Sequence, residues 1–113
     1  MSPIYHVTRR SDWEHALATG RFAPASLEQE GFIHCARRDQ LVGVGNDYFR
    51  GVRNLVLLQL DPERLDAEVR QENLHGGADR YPHVYGSIPC AAVVAVTPFA
   101  PRPDGSFGES ALP

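Results

Sequence analysis

Read for the alternation of apolar and polar positions, the chain divides into short extended runs and two stretches of helical spacing. Ile4-Tyr5-His6-Val7-Thr8 is β-branched and aromatic and predicts a strand, with Ile4, His6 and Thr8 on one face and Tyr5 and Val7 on the other. Ser11-Asp12-Trp13-Glu14 has the pattern of a capping box, and Trp13, Ala16, Leu17 and Gly20 follow at helical spacing. A short amphipathic helix stopped by Gly20 is predicted, with His15 on its solvated side. After Pro24, Ser26-Leu27-Glu28 predicts one helical turn before Gly31, and Phe32 to Ala36 a second strand. Alternation sets Phe32 and His34 against Ile33 and Cys35, so His34 and its neighbour Cys35 point to opposite sides and cannot form a Cys-His dyad with each other.

Asp39 to Phe49 predicts a second helix with Leu41, Val44 or Val42, Tyr48 and Phe49 as its apolar stripe, weakened by Gly43 and Gly45 and stopped by Gly51. Asn54 to Leu60 is the most apolar run and predicts the central strand, ended by Asp61-Pro62. Ala67 to Glu72 alternates as a more exposed strand would, and Asn73 to Arg80, with Gly76-Gly77, reads as a mobile loop. Tyr81 to Gly86 resumes extended structure across Pro82, which suits a strand start or an edge because proline has no amide donor. Ala91 to Val96 is a last strand closed by Pro98. The sum is about six strands and two helices of an α+β domain over residues 1–98, followed by a Pro-, Gly- and Ser-rich tail over residues 99–113 with little core to anchor it.

Composition narrows the function more by exclusion than by suggestion. A chain of 113 residues is one domain in length, and 42% hydrophobic with 22% charged residues is a globular balance. The net charge of -3 argues against a nucleic-acid footprint, which needs clustered cationic side chains. No apolar run is long enough to span a bilayer, and the first residues show no charged region leading into an apolar one, so a cytoplasmic protein is expected. Every cationic residue is Arg, a pattern that codon-composition bias of the source genome explains better than phosphate or carboxylate recognition does. Cys35 and Cys90 lack metal-site spacing and are expected to be free thiols.

Three histidines lie on predicted extended segments, each sharing a face with polar or aromatic neighbours: His6 with Thr8, His34 with Phe32, and His83 with Tyr85. If the opposite faces carrying Val7, Ile33, Cys35 and Val84 make the core, the histidines look into one cleft, where imidazoles could accept, donate or transfer protons near neutral pH. A structural histidine satisfied by hydrogen bonds is the plainer explanation of any one of them. Three histidines with a carboxylate could also ligate a metal for a hydrolase, but the close His spacing that would make such a site specific is absent.

Ile-Tyr-His-Val-Thr at the start, Trp13, Ser26-Leu27, Glu30-Gly31-Phe32-Ile33-His34-Cys35, Gln40, Leu55 to Leu60, Glu72 and Pro82-His83-Val84-Tyr85-Gly86 together resemble the bacterial family known as domain of unknown function nine-fifty-two. The resemblance covers the chain to about Pro98, with Tyr81 where the family usually has Phe. It implies an ADP-ribosyltransferase-like fold, a split pair of small antiparallel sheets around an NAD-binding cleft, in which a first-strand His contacts a ribose hydroxyl, an aromatic stacks on nicotinamide and a Glu polarises the sugar. His6 is similar to that His. Glu72 or Glu30 is the candidate acid, and Tyr85 the candidate aromatic. The expectation is a small-molecule, nucleotide-like ligand, with NAD the candidate cofactor. His6, His34, His83 and Glu72 are the candidate catalytic residues, and Thr8, Ser26, Glu30, Phe32, Tyr85 and Gly86 the candidate binding residues. A non-catalytic ligand-binding module is the alternative.

Overall fold

The computed structural model describes residues 2–73, 77 and 79–113. Within them the chain forms eight strands and three α-helices: β1 (Ile4–Arg9), α1 (Arg10–Thr19), β2 (Arg21–Phe22), α2 (Ala25–Glu30), β3 (Ile33–His34), α3 (Leu41–Tyr48), β4 (Leu55–Leu60), β5 (Val69–Glu72), β6 (Tyr81–Val84), β7 (Ile88–Pro89) and β8 (Val93–Pro98). It is an α+β fold of small antiparallel sheets in the orders β1-β4-β8, β3-β6-β5 and β2-β7. As the apolar run predicts, β4 is the middle strand of the first sheet, and its leucines are buried on both faces. Removing a side chain such as that of Leu58 would cost about 2–5 kcal/mol, through lost transfer energy and the cavity left behind.

Both faces of β1 and β4 are covered, so the single core expected on the Val7 face becomes two. Ile4, Val56, Leu58 and Leu60 pack with Trp13, Phe22, Ile33, Cys35 and Val84 on one side. Tyr5, Val7, Leu55 and Leu57 pack with Leu41, Phe99 and Phe107 on the other. The residues after Pro98 are therefore not a loosely anchored tail. Phe99 and Phe107 are fully buried, their rings stacked 4.5 Å apart, and Asn46 of α3 holds the Phe107 backbone from both sides. Two large aromatics in a Pro- and Gly-rich segment carry enough apolar area to outweigh its local preference for disorder.

The element boundaries differ from expectation for local reasons. The capping box at Ser11 does not form: β1 runs directly into α1, whose first residue is Arg10, with the Arg10 amide donating to the Asn54 carbonyl. Gly20 does end α1 in the left-handed conformation, and Gly31 ends α2 in the same way. Leu17 and Tyr48, assigned to apolar stripes, are exposed. The second helix is a 3-10 turn over Arg38–Gln40 leading into α3, which ends at Phe49 before Gly51 is reached. The strand expected over 32–36 is only two residues long, and that over 67–72 begins at Val69. β6 is the middle of its sheet rather than an edge. Pro82 is tolerated there because the backbone side on which it lacks a donor faces the point where β3 has already ended; its carbonyl on that side accepts from the Cys35 amide at 3.0 Å. The loop expected over Asn73 to Arg80 lies partly outside the described residues. At its far end, buried Gln40 donates to the Asp79 carboxylate and the Arg80 carbonyl.

Candidate functional site

The two larger sheets meet along one edge of β1 and then part. Tyr5 exchanges both backbone hydrogen bonds with Ala36 at 2.8 Å. Alternation turns the amide and carbonyl of Val7, two residues on, toward the same edge, and among the described residues the Tyr5–Ala36 bridge does not continue into a ladder there. Where the sheets diverge there is a cavity of about 450 Å3, with His6, His34, His83, Ser26 and Glu30 on its polar side. Tyr5, Val7, Val44, Tyr48, Phe49 and Tyr81 form its apolar wall.

Strand β1 delivers His6. Its Nδ1 donates to the His34 carbonyl oxygen at 2.5 Å, which fixes the tautomer, and its ring packs on Phe22 with centroids 5.2 Å apart. Burial drives its pKa down to about 4, so the ring is neutral at physiological pH. Nε2 then carries a lone pair. No buried side-chain nitrogen among the described residues lacks a hydrogen bond, so Nε2 is not sealed off, and His6 is one of the residues that line the cavity.

His34 and His83 stand directly opposite each other on β3 and β6, with ring centroids 5.3 Å apart. His34 Nε2 donates to the Glu30 carboxylate at 2.7 Å, and Glu30 sits at the last turn of α2, where the Gly31 cap turns the chain into β3. His83 is 3% exposed. Its Nδ1 donates to the Glu72 carboxylate at 3.1 Å, and the residue lines the cavity. The Tyr85 hydroxyl donates to the same Glu72 oxygen at 2.5 Å, and Arg70 lies 4.3 Å over the Tyr85 ring. That hydroxyl, more than His83 or Arg70, holds the Glu72 carboxyl below the usual carboxylate range, and Glu72 in turn pushes the Tyr85 hydroxyl up.

The expected residues thus separate into layers. His6, Ser26, Glu30, His34 and His83 come together on the cavity. Glu72, Phe32 and Tyr85 stand behind His83: Phe32 stacks on its ring at 4.4 Å and tilts against Tyr85 at 5.3 Å. Thr8 is buried beside Val56 and does not reach the cavity. Gly86 is where the backbone passes Ala67; an added Cβ would lie 2.7 Å from the Ala67 methyl, so its role is close packing. The Val7 edge and the wall of Tyr5, Tyr48, Phe49 and Tyr81 escape sequence reading, because they depend on where β1 ceases to be paired. Cys35 faces the core, and burial raises its thiol pKa, which keeps it protonated. Among the described residues no three His, Cys, Asp or Glu side chains converge as a metal ion requires. Among the described residues, no helix is long and apolar enough to cross a membrane.

Comparison with solved structures agrees with this fold over nearly the whole chain. The crystal structure of protein CC0527 from Caulobacter crescentus is 32% identical, with 96% of each chain covered and a TM-score of 0.85. A crystal structure of its double mutant gives 31% and 0.84 over the same coverage. Its solution NMR structure gives 34% and 0.73, covering 93% of this chain and 90% of that one. No curated protein matches. The profile of the family described as "Protein of unknown function (DUF952)" matches residues 7–96, and the chain belongs to that family.

Proposed function

We propose that the cavity binds a small NAD-like ligand by its nicotinamide end, in an ADP-ribosyltransferase-like arrangement of two small sheets split around the site. The observation that carries this is the edge of β1 at Val7, beside His6 on the cavity, which no strand among the described residues pairs beyond the isolated Tyr5–Ala36 bridge. A primary carboxamide needs one acceptor and one donor side by side, and a bare strand edge supplies both. Next to it, the neutral Nε2 of His6 accepts a hydrogen bond from a sugar hydroxyl, and the aromatic wall covers the ring face. Glu30 is the carboxylate on the cavity for charge developing at the sugar carbon. Glu72 acts through His83 as a positioning residue.

One observation favours binding without turnover. Glu72, the alternative acid, is held below the usual carboxylate range rather than raised as a proton donor would be. The experiment is a thermal-shift titration with NAD, nicotinamide and ADP-ribose on wild type and His6→Ala, followed by a nicotinamide-release assay. A ligand that binds the native state raises its stability. NAD and nicotinamide stabilising wild type more than the variant supports the reading, and release of nicotinamide adds catalysis to it. Stabilisation by ADP-ribose alone, or by none of the three, contradicts it.

A further inference from the structure

Of the polar side chains on the cavity, Glu30 and His6 accept rather than repel positive charge, while His34 donates its Nε2 proton to Glu30. Glu30 brings a carboxylate, of which one oxygen takes the His34 bond. His6 brings a neutral ring, since burial holds its pKa at about 4. The apolar wall adds the π-faces of tyrosines and a phenylalanine, which attract cations. Acidic groups also act on Tyr81 of the wall. The Tyr81 hydroxyl is pushed up by its burial and then by the negative charges of Asp79 and Asp47, with Arg37 opposing them. Arg37 is itself paired with Asp39 at 3.2 Å and Asp79 at 3.4 Å. Among the described residues, no Arg lines the cavity.

We infer that the cavity selects its ligand by positive charge, with Glu30 the selecting residue and an N-alkylated pyridinium the group it takes. The inference rests on the nicotinamide reading above and sharpens it: the oxidised, cationic ring is bound and the reduced, neutral ring is disfavoured. Phosphate groups stay outside the histidine wall. Half-exposed Glu30 interacts with a cation through partly aqueous surroundings, so the preference is moderate and falls with added salt.

The test uses 1-methylnicotinamide, its uncharged 1,4-dihydro form and nicotinamide as probes, titrated calorimetrically into wild type, Glu30→Gln and Glu30→Asp. Wild type is expected to bind the cation about tenfold more tightly than the dihydro form. Glu30→Gln should bring that ratio close to one by weakening the cation alone, and Glu30→Asp should keep most of it. Unchanged affinity for the neutral probes shows that the variant cavity is intact. If the neutral probes bind wild type as well as the cation, or if the ratio survives Glu30→Gln, charge selection is wrong while the carboxamide site stands. If none of the three binds, both are wrong.

Discussion

His6 Nδ1 donates to the main-chain carbonyl of His34 at 2.5 Å, a bond that ties the first strand of one sheet to the short strand of another. The bond does three things at once. It fixes the tautomer of His6, closes the sheets together beside the Tyr5–Ala36 bridge, and sets the place where they part into the cavity.

Burial of a neutral His6 makes stability depend on pH with a definite sign. Its pKa is about 4 in the folded chain against 6.5 unfolded, so between those values the unfolded state binds more protons. Stability is therefore present above pH 6.5 and drains away as pH falls toward 4, by about 3 kcal/mol in all. Urea denaturation at a series of pH values should show this loss in wild type. His6→Gln, which can still donate to the His34 carbonyl, should lack that share of it; parallel pH profiles for the two would show that His6 is not buried neutral.

Glu72 and Tyr85 should titrate as a pair. Tyr85→Phe keeps the ring against Phe32 but removes the hydroxyl that chiefly depresses Glu72, so the Glu72 carboxyl pKa should rise in the variant. Carboxyl NMR titration reads this directly. A Glu72 midpoint unaffected by the substitution would mean that the bond is not made in solution.

The two glycines of α3 should respond oppositely to alanine. A Cβ at Gly43 meets open space, and alanine there should gain up to about 1 kcal/mol of helix propensity. A Cβ at Gly45 would lie 2.7 Å from the Phe107 ring, so Gly45→Ala should destabilise despite the same propensity gain. Phe107→Ala should cost about 3–5 kcal/mol. Chemical denaturation of the three variants checks the packing of the C-terminal segment, and equal effects of the two glycine substitutions would be inconsistent with it.

What the sequence discloses is governed by how far a residue's role depends on its own strand. Alternation sets His34 and His83 on one face and Ile33, Cys35 and Val84 on the other, and that separation holds in the structure. The run from Leu55 to Leu60 marks the central strand because burial on both faces needs apolar residues at every position. Pairing is not a property of one strand, which is why Pro82 misleads: it occupies a central strand at a point its neighbour has already left. The same limit hides the Val7 edge. Composition likewise points to a loose end after Pro98, when Phe99 and Phe107 close the second core.

Binding of a carboxamide at the open edge of Val7, as proposed above, can be read from a 15N-1H correlation titration with nicotinamide. A saturable downfield shift of the Val7 amide is expected as it gains an acceptor, with smaller shifts around His6 and Tyr5. The same titration on His6→Ala should require more ligand. A Val7 amide that stays put, while nicotinamide binds elsewhere or not at all, would contradict the claim.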